Sequence, residues 1–290
     1  MGLQINTNVA AMNAYRNLAT TQSSMSKSLE RLSSGLRINR AADDAAGLAI
    51  SEGLKSQVGG LTVAARNAQD GISVVQTAEG ALTETTSILQ RMRDLAVQAA
   101  NAGSNDANSV KDIQKEGDAL ATELTRIAGK TTFNNVKLLD GSYSAKAFQV
   151  GYASADQISV TIDNGTANKG FSSTDLLVDG ATPGSTAVDL TKQDTAPGAG
   201  DGAISLIDKA IQTVSTARAG LGAMQNRFEH VINSVNVANE NLTASKSRIT
   251  DTDMAQEMTS FTRSQILQQA GVSMLAQANQ MPQAVLKLLG

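Results

Sequence analysis

The sequence predicts a mainly α protein in which long coiled-coil helices from both halves of the chain form an elongated bundle. The first observation is an apolar seam from Leu221 to Thr252, in which steps of three and four residues alternate. Eight of its ten positions are apolar, where a chain that is 41% hydrophobic would give about four by chance. A helix with one narrow apolar edge needs another long helix beside it, and the same spacing recurs from Leu54 to Ala96.

These two long seams are the predicted contact lines of the bundle. Ten of the thirteen positions in the upstream seam are apolar. Glu79 and Arg93 interrupt the seam, and such charged residues would disfavour slipped registers of the helices. A third, shorter seam runs from Ile113 to Ile127. The seam residues expected to pack are Leu54, Leu61, Ile72, Leu82, Leu89, Leu221, Phe228, Val231, Val235, Leu242 and Ile249.

Both ends of the chain are predicted to be amphipathic helices with very few charges. The first runs from about Ala10 to about Ser34, where Gly35 can end it, and the last has no charged residue between Arg263 and Lys287. Each is too poor in bulky side chains to fold alone, so a partner has to bury it. The residues expected to pack there are Leu18, Met25, Leu29, Leu267, Met274, Leu275, Ala278, Val285 and Leu288.

The middle of the chain breaks the helical pattern. Alternating apolar residues at 148–152 and 158–162 predict a β-hairpin that turns within 153–157. Residues 163–202 are rich in Gly, Thr, Ser and Asp and indicate a small irregular insertion, in which the apolar run at 176–178 allows a strand or two. Ser109 is interpreted as the cap of the third helix.

Composition excludes several kinds of site. The chain has no Cys, which leaves no disulfide framework, no thiol nucleophile and no Cys-ligated zinc. A net charge of -3 gives no reason to expect nucleic acid, and no apolar run reaches the roughly 20 residues that span a bilayer. His230, the single histidine, flanks a seam position, and the aspartates at 43–44, 251 and 253 are interpreted as helix caps. No metal, cofactor or catalytic site is therefore expected.

Seven stretches of the sequence resemble bacterial flagellin, in the order of that family. They are 5–8 (INTN), 30–39 (ERLSSGLRIN), 43–47 (DDAAG), 66–73 (RNAQDGIS), 132–139 (TFNNVKLL), 221–228 (LGAMQNRF) and 265–289 (QILQQAGVSMLAQANQMPQAVLKLL). The resemblance implies a structural subunit of the flagellar filament, of a short type with a reduced variable region. It implies neither enzymatic activity nor a cofactor.

The resemblance also implies a division of the chain into filament layers. In that family the two terminal helices pair to form an inner tube, and the seam helices form the next shell outward. The expected parts are an inner-domain helix, the N-terminal part of the coiled-coil domain with the hairpin, an outer insertion, the C-terminal helix of the coiled-coil domain and a second inner-domain helix. Their ranges are 1–45, 46–162, 163–202, 203–252 and 253–290.

The partners implied by the resemblance are further copies of the chain, an export chaperone, the flagellar type III export apparatus, and the hook-associated and cap proteins. Export through that apparatus would place the protein outside the cell, in the flagellum, although its N-terminus lacks a Lys/Arg-then-apolar secretion signal. The chaperone is expected to dock on a helix at Val285, Leu286 and Leu288.

The flagellin resemblance at 89–96 further implies that a vertebrate Toll-like receptor senses the monomer. The family pattern maps the receptor contacts to Arg91, Leu95 and Glu116. Arg91 and Leu95 are four residues apart, hence on one helix face, and both are expected to point outward. In the filament, neighbouring subunits should cover this face.

Three alternative functions explain less of the sequence. A hook–filament junction protein would share the coiled ends, but the long C-terminus and the 43–47 stretch favour flagellin. An enzyme carried in the insertion would have about 40 residues with neither His nor Cys to work with. A membrane-active amphipathic protein would need a Lys/Arg-rich polar face, which both termini lack.

Overall fold

Long helices dominate the protein, as the sequence predicts. The computed structural model describes residues 8–101, 105–166, 169–177 and 202–289. Within these ranges the elements are, in chain order, α1 (Val9–Ser34), α2 (Ala45–Ala99), α3 (Ala107–Lys130), β1 (Thr132–Phe133), β2 (Val136–Lys137), β3 (Lys146–Gln149), β4 (Gln157–Val160), α4 (Ser173–Leu177), α5 (Ala203–Thr250) and α6 (Met254–Leu289). The mainly α class with a small β insertion is confirmed.

The chain divides into two compact units. The terminal unit comprises Met1–Val58 and Glu240–Gly290, and the central unit comprises Gly59–Asn239. Both boundaries fall inside helices, in α2 and in α5. The division expected from the flagellin resemblance places its boundaries elsewhere, near the starts of α2 and α6, and stays a prediction about layers in a filament.

In the central unit, α2, α3 and α5 share one hydrophobic core. Leu82 and Leu89 of α2, Leu124 of α3 and Phe228 of α5 have no exposed surface. The predicted seam residues of this unit are all buried or half-buried: Leu61, Ile72, Leu82, Leu89, Leu221, Phe228, Val231 and Val235. Leu54, Leu242 and Ile249 belong to the terminal unit and are half-buried there.

Phe228 fixes the position of α5 against α2. A Cβ atom at Gly71 would lie 2.7 Å from Cζ of Phe228, so no larger residue fits beneath the ring. Phe148 of β3 packs edge-on against the same ring, with centroids 5.5 Å apart. Sliding one helix along the other would move the ring off its glycine.

The two charged interruptions of the α2 seam each meet a charge on α5. Glu79 lies 3.8 Å from Arg218, and Arg93 lies 2.6 Å from Asp208. Each pair is partly exposed, so each adds little to stability. A slipped helix would separate both pairs at once, and this supports the interpretation of Glu79 and Arg93 as residues that set the register.

Two antiparallel hairpins cover the core of the central unit. β3 and β4 form the predicted hairpin, with Phe148 opposite Ile158. β1 and β2 form a second, shorter hairpin that the sequence pattern did not predict. Its turn residues, Asn134 and Asn135, have φ values of 47° and 63°, as a two-residue hairpin turn with left-handed backbone requires.

Two local expectations are wrong. The run at 176–178, expected to allow a strand, begins in the short helix α4, whose start is capped by the Ser172 hydroxyl accepting from Asp175 N at 3.2 Å. The rest of the insertion, 178–201, lies outside the described residues. Asp106, rather than Ser109, caps α3, and its carboxylate accepts from Ser109 N at 2.8 Å.

Replacing Gly71 tests the contact with Phe228. We expect Gly71→Ala to destabilise the protein by roughly 1–3 kcal/mol, because the added methyl group has to displace a buried ring. Gly80→Ala is the matched control on the same helix, since its Cβ would meet nothing within 4 Å. We expect that change to stabilise the helix by less than about 1 kcal/mol. Urea unfolding followed by circular dichroism measures both, and equal effects would contradict the proposed contact.

Candidate assembly surfaces

In the terminal unit, α1 and α6 pack side by side in antiparallel directions. Near the start of α1, Asn8 Nδ2 donates a hydrogen bond of 2.8 Å to the carbonyl oxygen of Ala278. Near the end of α1, a guanidinium nitrogen of Arg31 lies 3.7 Å from a Glu257 oxygen. Between them a Cβ atom at Gly271 would lie 3.2 Å from Leu18, which shows how closely the two helices approach.

The line of contact between these helices combines small residues with a few larger apolar ones. On α6 it passes Gly271, Leu275 and Ala278, which are half-buried or buried. The corresponding residues of α1, again half-buried or buried, are Ala11, Ala14, Leu18, Thr21, Met25, Ser28 and Leu32. The sequence pattern missed Ala11, Ala14, Thr21 and Ser28, because a search for bulky apolar residues passes over Ala, Ser and Thr.

Other predicted packing residues lie on the outer faces. Leu29 of α1 and Leu267 and Met274 of α6 are more than half exposed. Within a single chain, therefore, these three side chains do not pack between α1 and α6. Their packing in an inner tube stays a prediction, and the side chains of Val285 and Leu288 lie outside the described part of the protein.

The outer faces of the terminal helices are rich in large apolar side chains. Those at least 48% exposed are Val9, Met12, Tyr15, Leu29, Met254, Met258, Ile266, Leu267, Val272 and Met274. α6 carries no charged residue from 264 to 286. Surfaces of this composition are typical of faces that another protein covers.

Residues 35–44, which join α1 to α2, are fixed against the joint between α5 and α6. α1 ends at Gly35, whose φ of 73° suits glycine, as predicted. Leu36 pairs with Asp251 in an isolated antiparallel bridge. Thr252 N donates to the Gly35 carbonyl at 3.0 Å, and Arg37 N donates to the carbonyl of Thr250 at 2.7 Å.

Two carboxylates, Glu30 of α1 and Asp43 of the connection itself, hold the same connection in place. Glu30 Oε1 accepts from Asn39 Nδ2 at 2.7 Å and from Arg40 Nε at 2.8 Å. Asp43 Oδ2 accepts from the backbone nitrogens of Arg40 and Asn39 at 3.1 and 3.3 Å. The hydrogen bond from Asn39 and then that from Arg40 hold the pKa of Glu30 below its ordinary value. The backbone bond from Arg40 lowers the pKa of Asp43 in the same way.

Of the four aspartates predicted as helix caps, Asp44 and Asp253 are confirmed, whereas Asp43 and Asp251 cap no helix. Asp251 follows α5, and its carboxylate accepts from the hydroxyls of Ser247 and Thr250 at 2.6 and 2.8 Å. Asp44 Oδ1 accepts from Gly47 N at 2.8 Å at the start of α2. Asp253 Oδ1 accepts from Ala255 N at 2.9 Å at the start of α6. Gly47 has no room for a side chain, since a Cβ there would lie 2.7 Å from Cδ1 of the buried Ile38.

The expected receptor residues are only partly on the surface of the central unit. Arg91 and Glu116 are exposed and form an ion pair across α2 and α3, 2.7 Å apart. Leu95 is 1% exposed, so the expectation that it points outward is wrong. Its neighbour Met92 is equally buried. The reason is that α3 packs on α2 beside α5, so the buried stripe of α2 is wider than the seam of a two-helix contact.

The described residues offer little for chemistry. Among them, no three His, Cys, Asp or Glu side chains come together as metal ligands would. His230 is exposed on α5. None of the described helices combines the length and hydropathy of a membrane-crossing segment.

Comparisons with known proteins agree on one family. The bacterial flagellin N-terminal helical region matches residues 5–144, and the bacterial flagellin C-terminal helical region matches residues 204–289. The flagellin of Bacillus subtilis (strain 168) is 49% identical over 304 aligned positions, covering 99% of this chain and 100% of that protein. The flagellin of Halalkalibacterium halodurans is 48% identical, covering 98% and 99%.

More distant relatives share the name. Flagellin B of Vibrio cholerae is 39% identical over the whole of both chains. Among solved structures, the crystal structure of Bacillus cereus flagellin is 32% identical, covers 59% of this chain and 88% of that one, and superposes with a TM-score of 0.45.

Acid tests the role of the Glu30 carboxylate in holding the 35–44 connection. Because the folded-state pKa of Glu30 is lowered, its contribution to stability is present above the unfolded-state pKa of about 4 and is lost as the pH falls through the folded-state value. We therefore expect Glu30→Gln to be less stable than wild type at neutral pH. The difference should shrink at about pH 3.

Urea unfolding at both pH values measures this difference. Glu84→Gln, an exposed substitution on α2, is the control and should leave stability nearly unchanged at either pH. A difference between Glu30→Gln and wild type that does not vary with pH would contradict the role of the carboxylate.

Proposed function

Because the chain belongs to the bacterial flagellin family, we propose that it is a structural subunit that polymerises into the helical filament of the flagellum and so serves motility. The observation that carries this proposal is the outer face of α1 and α6. Its apolar side chains are exposed in the single chain, and burying them between copies removes that surface from water.

The scarcity of charge on these helices supports the same proposal. A charged side chain buried without a partner costs several kcal/mol, and in a polymer every copy would bear that cost. Amide and hydroxyl side chains, by contrast, can pair with one another across a contact, as Gln268 Nε2 and Gln22 Oε1 do at 2.6 Å within the chain. Contacts between unlike surfaces whose rotation does not close generate an open helical assembly.

The proposed function lies in surfaces rather than in an active site. Flagellins are structural proteins, and the matched regions include the five long helices of the described residues, α1, α2, α3, α5 and α6. We assign no reaction to the chain. Its place is the extracellular filament, reached through the flagellar export apparatus, with hook-associated and cap proteins as further partners.

A charge on the outer face of α6 tests the assembly surface. Val272 of α6 and Val237 of α5 are 53% and 58% exposed, so Asp at either position should leave the monomer folded. We expect Val272→Asp to raise the critical concentration for polymerisation about a hundredfold, because assembly would bury the carboxylate.

Val237→Asp is the matched control in the central unit, and its effect should be much smaller. Pelleting of seeded polymer measures the critical concentration, while circular dichroism verifies that both monomers are folded. Unchanged assembly by Val272→Asp would show that the outer face of α6 is not the buried surface.

Binding of an export chaperone to the C-terminus is proposed from its resemblance to the flagellin family. Val285, Leu286 and Leu288 lie on the last turns of α6, in a part of the helix whose side chains are not described. We expect a chain ending at Met281 to lose most of its binding to the chaperone. A pull-down against the full-length chain measures the loss, and equal recovery would remove these three residues from the proposal.

If a Toll-like receptor senses the monomer, the expected contact residues that are exposed for it to bind are Arg91 and Glu116. Both side chains are about half exposed and adjoin each other, whereas Leu95 is buried. A receptor that binds here would therefore meet a charged patch on the surface of α2 and α3. The Leu95 contact that the resemblance implies would require its side chain to leave the core.

Substituting Arg91 tests the receptor proposal. Reporter cells exposed to Arg91→Ala monomer should respond about tenfold less than cells exposed to wild type. Arg126→Ala, which breaks an ion pair with Glu123 on α3, is the control and should keep the full response. A silent wild type, or a fully active Arg91→Ala monomer, would exclude recognition through this patch.

A further inference from the structure

Methionine is the sulfur-containing side chain of this protein that a peroxide can oxidise. The sequence contains nine methionines and no cysteine. A thiolate would otherwise react first, so a peroxide that meets this chain has thioether sulfur as its target. The product, methionine sulfoxide, replaces a flexible apolar side chain with a polar one.

The methionines are distributed unequally between the two units. Met12, Met254, Met258 and Met274 are 48–64% exposed, and all four lie in the terminal unit. In the central unit, by contrast, Met92 is 1% exposed and Met224 is half-buried. Because a peroxide has to reach the sulfur atom, oxidation of the folded monomer should concentrate on α1 and α6.

The exposed methionines lie at both ends of the α1–α6 pair. Met12 and Met274 fall in the stretch between the Asn8–Ala278 hydrogen bond and the close approach of Leu18 to Gly271. Met254 and Met258 are one helical turn apart at the start of α6. Met258 also lines a shallow hollow of about 530 Å³, together with Ile266 and Leu267.

We propose that Met12, Met254, Met258 and Met274 form a redox modification site that controls assembly: monomers oxidised there by a peroxide do not add to the polymer until the sulfoxides are reduced. The inference rests on the proposed function, since it takes the outer faces of α1 and α6 as the surfaces buried between copies. It adds the condition that those surfaces can assemble only while their methionines are unoxidised.

The oxidation step balances with hydrogen peroxide as the oxidant. A lone pair of the thioether sulfur attacks one peroxide oxygen, a sulfur–oxygen bond forms, and the oxygen–oxygen bond breaks. The second oxygen leaves as water after proton transfer, so the sulfur loses two electrons and the peroxide gains two. A methionine sulfoxide reductase, supplied with a thiol reductant, returns two electrons and releases the oxygen as water.

The sulfoxide acts on assembly through hydrogen bonding. Its oxygen requires a donor once water is removed, and around Met274 α6 has no Lys or Arg between 264 and 286 to supply one, whereas Arg263 lines the same hollow as Met258. The amides of that stretch are the donors at hand, and a neighbouring copy would have to rearrange them. Every added subunit repeats the same contacts, so four modified residues in each copy weaken every step of growth.

The experiment compares polymerisation of purified monomer before and after limited treatment with hydrogen peroxide. Peptide mass spectrometry should find sulfoxide at Met12, Met254, Met258 and Met274 before Met92. The critical concentration should rise about tenfold or more, and reduction by methionine sulfoxide reductase should restore it. Assembled polymer given the same treatment should keep these four thioethers largely unmodified, because its contacts cover them.

Variants identify the residues responsible. The fourfold change Met12→Leu, Met254→Leu, Met258→Leu and Met274→Leu keeps the faces apolar, and its assembly should resist peroxide. Met224→Leu is the control and should lose assembly on oxidation as wild type does. If the fourfold variant does not polymerise, recovery of oxidised wild type by the reductase decides the question.

The outcomes separate the two proposals. Untreated wild-type monomer that does not polymerise under seeding overturns the proposed function. Wild-type monomer that polymerises equally well with all four sulfoxides in place overturns the redox site alone. Loss of assembly that the fourfold variant shares with wild type also overturns it, since the damage would then lie elsewhere.

Discussion

Two helices can cover only one face of each other, and this geometric limit decides how much apolar surface each unit of the protein can bury. In the terminal unit, α1 and α6 bury one line of residues between them and leave many other large apolar side chains in water. In the central unit a third helix and two hairpins close around α2 and α5, and Leu82, Leu89 and Phe228 are fully buried. The described part of the central unit encloses a core, whereas the terminal unit presents apolar faces of the kind that another protein covers.

The same limit explains which predictions from the sequence succeed. Heptad spacing identified the long helices and their core positions, because a regular stripe is visible without knowing its partner. Leu95 was misplaced because the width of a buried stripe depends on how many neighbours a helix has, and the sequence of α2 does not reveal that α3 packs beside α5. Ser28 was missed for a different reason: close approach of two helices, as between Leu18 and Gly271, selects small residues, which a search for bulky hydrophobic ones overlooks.

Local features divide along similar lines. Gly35, Asp44 and Asp253 end or begin helices through their own backbone or side chain, so their roles can be predicted from a few neighbouring residues. The β1–β2 hairpin has only two residues in each strand, too few for an alternating pattern. The match between Phe228 and Gly71 joins residues far apart in sequence, and neither residue type alone indicates it.

A surface that has to stay soluble alone and pack closely in a polymer restricts the choice of side chain. Leucine and isoleucine, which the same faces also carry at Leu29, Ile266 and Leu267, give apolar area in fixed shapes. Methionine has an unbranched, flexible chain that adapts to a neighbour's contour. The exposed methionines of α1 and α6 fit that requirement, while the buried Met92 fills a core that is already closed. Flexibility comes with a sulfur atom that water-borne oxidants can reach until a neighbour covers it. In the proposed filament, the property that suits these residues to repeated contacts would therefore also make the free subunit chemically different from the assembled one.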